Sequence, residues 1–177
     1  MSEASSPNAP DRPEPLRAAP RANKSPRRRS RELALQGLYE WQVSKASVRT
    51  IASHMREQDE FARSDAEHFD ALLQGCIEQV ESLDAVIGRH ADRRTTLLSP
   101  VEHAALMIGV YELTHCLDVP YRVVINEGVE LAKTFGGTDG HKYVNGVLDK
   151  AAAELRPAEV AAAPPRRPRP RTPPTRA

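Results

Sequence analysis

The chain has 177 residues, of which 28% are charged and 40% hydrophobic, and its formal net charge is only +1. That near-neutral total hides a separation: residues 1–31 carry eight Lys/Arg against three Asp/Glu, residues 157–177 five against one, and residues 32–156 twelve against twenty. Basic ends on an acidic body attract phosphate at the ends and repel it elsewhere. No apolar run approaches the ~20 residues needed to cross a bilayer, and the polar, proline-rich start lacks the apolar stretch of a signal peptide, so a cytoplasmic protein without a membrane partner is expected.

Thirteen of the 15 prolines lie in residues 1–29 or 157–177, while all eight aromatic residues fall between Tyr39 and Tyr143. Residues 1–25 therefore read as a disordered basic extension and 157–177 as a disordered Pro/Arg-rich tail, since neither has the apolar content to offset the entropy of ordering. Residues 26–156 remain as one compact domain.

Within it, period-two alternation is missing and i, i+3, i+4, i+7 spacing recurs, so the fold class is all-α, a compact helical bundle. Ser25-Pro26 opens a first helix with Ala34, Leu38 and Trp41 on one side. Ser47 starts a short one bearing Val48, Ile51, Ala52 and Met55. Ser64-Asp65-Ala66-Glu67 is a capping-box pattern for a long helix carrying Phe69, Leu72, Leu73, Cys76, Val80, Leu83 and Ile87 on a single stripe. The polar stretch from Arg89 to Thr96 marks a subdomain boundary, with about 26–93 before it and 94–156 after. Ser99-Pro100-Val101-Glu102 opens a fourth helix presenting Val101, Ala104, Ala105, Ile108 and Tyr111, which ends near Asp118. Tyr121 to Phe135 forms a fifth, terminated by Gly136-Gly137. The sixth begins near Asp139, turns Val144, Val147, Leu148, Ala151 and Leu155 inward, and stops at Pro157. Six helices result, three on each side of the boundary.

Two segments carry candidate chemistry. Arg27-Arg28-Arg29-Ser30-Arg31 runs straight into the first helix, where basic side chains track phosphates while the nearby ring of Tyr39 stacks on bases, a combination suited to single-stranded RNA. The alternative is that Tyr39 and Trp41 are core and the arginines only solubilise a helix end. Asp139-Gly140-His141-Lys142-Tyr143 sets a cation and an aromatic ring at a helix start whose N–H groups favour phosphate; equally, Asp139 caps the helix and Asn145 ties it to a neighbour. Gly136-Gly137-Thr138-Asp139-Gly140 follows a helix and no Gly-Lys-Ser/Thr closes it, which rules out a Walker loop. Glu112, His115 and Cys116 share about one helical turn without a known zinc spacing, and no nucleophile motif accompanies the six histidines. Cys76 and Cys116 read as buried reduced thiols. No enzyme, metal or cofactor is expected.

The words Arg27-Arg28-Arg29-Ser30-Arg31-Glu32, Ala34-Leu35-Gln36-Gly37-Leu38-Tyr39, Asp118-Val119-Pro120-Tyr121-Arg122-Val123-Val124-Ile125-Asn126-Glu127 and Lys142-Tyr143-Val144-Asn145-Gly146-Val147-Leu148-Asp149, in this order and spacing, resemble the NusB family of bacterial transcription antitermination factors. The resemblance spans about residues 27–156. It implies two three-helix subdomains and a non-catalytic protein that binds boxA RNA of ribosomal leader transcripts together with NusE, a ribosomal small-subunit protein. With NusA and NusG, such a protein helps RNA polymerase read through terminators. By the same resemblance Arg27, Arg28, Arg29, Arg31 and Tyr39 contact the RNA, Asp139, Lys142 and Tyr143 supply a second patch, and Glu102 and Tyr111 lie at or near the NusE-facing surface. Gly140 stands where the family commonly has serine, and Tyr143 where phenylalanine is frequent. Competing readings are the RNA-binding appendage of ribosomal RNA cytosine methyltransferases, which requires a cofactor-binding α/β domain, and a protein-only adaptor.

Overall fold

The computed structural model describes Leu16 and residues 24–165; the remainder of the expected N-terminal extension, and the expected tail from residue 166 onward, lie outside the described residues. All regular structure among the described residues is helical: α1 (Pro26–Ser44), α2 (Val48–Arg56), α3 (Ala66–Glu78), α4 (Val80–His90), α5 (Pro100–His115), α6 (Tyr121–Phe135), α7 (Gly140–Leu155) and α8 (Pro157–Ala162), with short 3-10 turns at Asp59–Arg63 and Thr95–Leu97. None of these helices is long and apolar enough to cross a membrane.

The starts follow from local chemistry. Ser25 accepts a hydrogen bond from the Arg28 N–H, Ser47 from Thr50 and Asp65 from His68. In the capping-box pattern before α3 it is thus Asp65, not Ser64, that caps. Ser99 and Glu102 form a complete capping box at α5, satisfying two otherwise orphaned N–H donors. Pro120 offers no side-chain cap to α6; Glu159 of α8 does instead, its Oε1 accepting the Tyr121 N–H at 2.8 Å.

Two elements differ from the sequence reading. The long helix is broken at Gln79, whose φ of −106° and ψ of 17° leave helical geometry even though its N–H still bonds Gly75 O. The break lets α4 leave α3 and pack on α5 and α7, so Leu83 and Ile87 enter the core from another direction. The residues before the 93/94 boundary therefore do not pack only among themselves: one hydrophobic cluster runs from Leu33 on α1 to Ala152 on α7. The second difference is α8, where Pro157 both ends α7 and occupies the first position of a new helix. Its anchor is Arg156, 4% exposed, whose guanidinium donates to the carbonyls of Glu112, Leu113, Cys116 and Val119 at 2.6 to 3.0 Å. A buried cation thereby lies at the negative end of α5 and bonds the carbonyls gathered there.

The three helices α5, α6 and α7 close on one another through glycine. Leu148 of α7 lies against Gly109 and Gly128, and a Cβ at either position would come within 2.6 Å of its side chain. Helices can approach this closely only where a side chain is missing from the facing surface. Gln42 near the end of α1 donates to Pro100 O at the start of α5, whereas Arg31 meets Glu112 near the end of α5, so α1 and α5 run antiparallel. That arrangement fixes where the candidate residues lie.

Candidate nucleic-acid interface

The first turn of α1 holds three arginines and no acid. Positive charge is unfavourable beside the positive end of a helix, so the arrangement requires anions nearby. The fold supplies them from four elements. Arg27 lies 3.1 Å from Asp118 in the α5–α6 turn and 3.6 Å from Asp65. Arg28 makes a two-pronged pair with Glu127 of α6, both contacts at 3.0 Å. Arg29 reaches Glu60 at 3.0 Å. Arg27 and Arg28 remain partly exposed, and their hydrogen bonds to Asp118 and Glu127 raise their already high pKa values further. Each is a partly exposed cation held by a carboxylate from another element.

Arg31 differs. Its side chain is 4% exposed and turned into the bundle, where Nη2 meets Glu112 Oε1 at 2.8 Å and Nε meets both carboxylate oxygens at 3.0 Å. His68 Nε2 sits 2.9 Å from the same Oε1. The expectation that Arg31 touches RNA has no room in this arrangement: it joins α1 to α5, one turn behind arginines that do face outward.

Tyr39 is half-buried and packs against the core, leaving only part of its ring at the surface. Twelve residues of helix separate it from Arg27, about 18 Å at 1.5 Å per residue. It lies toward the end of α1 that meets the start of α5, and α6 accompanies the first part of α1: Arg28 and Glu32 line one surface recess with Glu127, Leu131 and Thr134. Beyond α6, Gly136 lies against Val101 and the chain enters the start of α7. The first turn of α1 meets α6 near Glu127, and the far end of α6 leads into the start of α7.

At the α7 start, Asp139 does not cap; it pairs with Lys142 at 3.0 Å, and both side chains are more than 70% exposed. Gly140 is buried against Glu102, whose Oε1 would lie 3.0 Å from a Cβ there, so the family's serine would crowd this contact. Asn145 bonds Asp149 one turn along α7, not a neighbouring helix. Tyr143 packs against the core with its hydroxyl buried and unbonded, and the Arg93 guanidinium lies 4.5 Å over its ring. Burial, aided by the negative charge of Asp92, pushes the phenol pKa up. Nothing in the sequence spacing announced Arg93 over Tyr143. Glu127 beside Arg28 was closer to legible, because acids mark the outer side of that helix.

Of the residues expected toward a protein partner, Glu102 is half-exposed within its capping box. The Tyr111 ring meets His115 at a tilt of 39° with centroids 4.6 Å apart and wedges against Gly75 of α3, and burial raises its pKa. Tyr111 thus joins α5 to α3 while keeping an exposed edge. Donor atoms of His68, Glu112 and Cys116 lie within 4.8 Å of one another, but Arg31 already neutralises Glu112 and burial keeps the Cys116 thiol protonated.

Comparison with known proteins yields a consistent result. The family model described as the NusB family matches residues 28–153. The transcription antitermination protein NusB of Cupriavidus pinatubonensis is 58% identical over 139 residues, 78% of this chain and 83% of that one. That of Ralstonia nicotianae is 55% identical, covering 78% and 90%. Among solved structures, T. maritima NusB superposes with a TM-score of 0.68 at 28% identity, covering 78% of this chain and 99% of that one. A crystal structure of the antitermination factors NusB and NusE in complex with double-stranded RNA gives 0.66 at 26% identity, covering 72% and 96%.

Proposed function

The chain belongs to the NusB family, and from that premise we propose that it is a transcription antitermination factor acting as a non-catalytic RNA-binding scaffold. With NusE it holds the boxA element of ribosomal RNA leader transcripts and, in a complex with NusA, NusG and RNA polymerase, promotes read-through of terminators in the cytoplasm. The observation that carries this reading is the set of arginines on the acid-free first turn of α1, where exchange of Asp118 for phosphate costs little because exposed ion pairs contribute only about 0–1 kcal/mol.

Arg27, Arg28 and Arg29 supply salt-sensitive phosphate attraction, and Tyr39, Asp139, Lys142 and Tyr143 form the second contact region. Arg31 supports the site from the core by fixing α1 on α5. Glu102 and Tyr111 belong to the NusE-facing side. The solved relative holds double-stranded RNA with NusE; for this chain single-stranded boxA is the favoured ligand, since readable base edges and stacking faces are open only in unpaired strands.

Fluorescence anisotropy of a labelled boxA-type RNA, with and without NusE, tests the reading against a scrambled strand and a duplex over a salt series. Tighter binding to boxA that improves with NusE supports it. Equal, steeply salt-dependent binding to all three RNAs reduces the site to charge attraction, and no RNA binding even with NusE favours a protein-only adaptor.

A further inference from the structure

Tyr143 is half-buried and has one face of its ring already covered. It packs against the core, and Arg93 covers it, with the guanidinium carbon 4.5 Å from the ring centroid. Arg93 is itself held from the side by its neighbour: Nε lies 2.8 Å from Asp92 Oδ1 and Nη2 3.4 Å from Oδ2. A planar cation gripped along one edge and supported below by an aromatic ring has few orientations left, so little further order is lost when something stacks on it. Its side chain is nevertheless 44% exposed.

The surroundings extend this platform. Arg94 is exposed and has no ion-pair partner among the described residues, and it borders an open cleft with Asp92, Arg93, Thr95 and Thr96. Lys142, 72% exposed, stands one residue from Tyr143 on α7. A flat cationic face next to further cations matches a nucleobase attached to its phosphates, because guanidinium planes and aromatic rings both stack on unpaired bases.

We propose that Arg93, supported by Tyr143, is the surface on which an unpaired RNA base stacks, with Arg94 meeting an adjacent phosphate. The inference rests on the RNA-binding reading above and moves the stacking contact from the tyrosine to the arginine lying on it. Tyr143 becomes a positioning residue, and the Asp92 carboxylate a brace.

The test uses the full chain and a boxA-type single-stranded RNA carrying 2-aminopurine at one position at a time, with affinity read by anisotropy and stacking by fluorescence quenching. The unsubstituted protein is expected to quench one position strongly. Arg93→Ala should weaken binding roughly tenfold and remove that quenching while leaving the melting temperature unchanged. Arg93→Lys should keep the salt dependence yet fail to restore the quenching, because its charge is not planar. Arg94→Ala should reduce the salt dependence and leave the quenching intact. Equal or tighter binding by Arg93→Ala would overturn the proposal by showing that the arginine shields the tyrosine, and full rescue by Arg93→Lys would reduce Arg93 to a point charge. If the unsubstituted protein binds no RNA, the RNA-binding reading itself fails; if it binds and responds to Arg27→Ala but not to Arg93→Ala, only the present inference fails.

Discussion

Arg31 and Glu112 form an ion pair inside the bundle, with Nη2 and Oε1 2.8 Å apart and side chains only 4% and 1% exposed. The arginine run is thereby divided: Arg27 and Arg29 end on surface acids, Arg28 on the half-buried Glu127, while the fourth arginine crosses from α1 to α5. His68 completes the carboxylate's hydrogen bonding from α3, so three helices meet at one buried charge cluster. The exposed arginines consequently sit on a helix end whose position is fixed from within.

Glu112→Ala should destabilise the fold by about 3–5 kcal/mol, because it leaves a buried guanidinium without its counter-charge. Arg31→Ala should cost a similar amount, whereas Arg27→Ala should change stability by no more than about 0.5 kcal/mol. Urea denaturation of the three variants checks this. A small loss for Arg31→Ala would place its side chain at the surface and return it to the set of RNA contacts.

The same cluster sets an acid limit. Burial pushes the Glu112 pKa up, but hydrogen bonds from His68 and Arg31 and their charges outweigh it and hold the carboxyl below its ordinary 4.5. The unfolded chain then takes up this proton at a higher pH than the folded one. Stability is complete above about 4.5 and falls as pH drops through the lower folded value. Glu159, held down by the Tyr121 N–H, contributes with the same sign. Urea midpoints measured across this range should decline on the acid side, and Glu112→Gln, though less stable throughout, should decline less steeply.

Much of this architecture was legible because its signals are local. Ser25, Ser47 and Ser99 cap where their spacing said they would, and most of the striped positions from Ala34 to Ala151 are buried as their period requires, with Trp41, Val80, Tyr111 and Leu155 at its margin. The break at Gln79 was not legible, since no proline or glycine marks it and the stripe passes through unbroken; the packing of α4 on α5 and α7 produces it. Nor was α8, because proline ends one helix and begins another by the same fixed φ, and only the destination of the Arg156 side chain shows that the chain folds back. At the site, residue types named the arginines, yet burial of Arg31 and the cover of Arg93 over Tyr143 arise between segments 81 and 50 residues apart, beyond the reach of any helical period.

Arg27→Ala combined with Arg28→Ala should weaken RNA binding and reduce the slope of log K against log salt by about 1.4, the release of two counterions from a single strand. Glu127→Gln should act in the opposite direction, since it frees Arg28 from its two-pronged pair for phosphate. Titrations of one boxA-type RNA at several salt concentrations measure both. If Glu127→Gln weakens binding instead, the carboxylate is orienting Arg28 and not competing for it.

The contact between Gly75 and Tyr111 separates a structural tyrosine from a partner-facing one. A Cβ at position 75 would overlap the Tyr111 ring, so Gly75→Ala must displace α3 or the ring and should cost about 1–3 kcal/mol. Tyr111→Ala alone removes packing between α5 and α3, but it also opens the space that the new methyl group needs. The double variant should therefore be more stable than the sum of the two single losses predicts, and the difference, read from a double-mutant cycle of urea denaturation, is the coupling across that contact. NusE binding by Gly75→Ala then reads the outer edge of the ring: a displaced Tyr111 that still binds NusE with full affinity would confine the residue to holding α5 on α3, whereas a loss in proportion to the ring's displacement would place it in the partner surface as well.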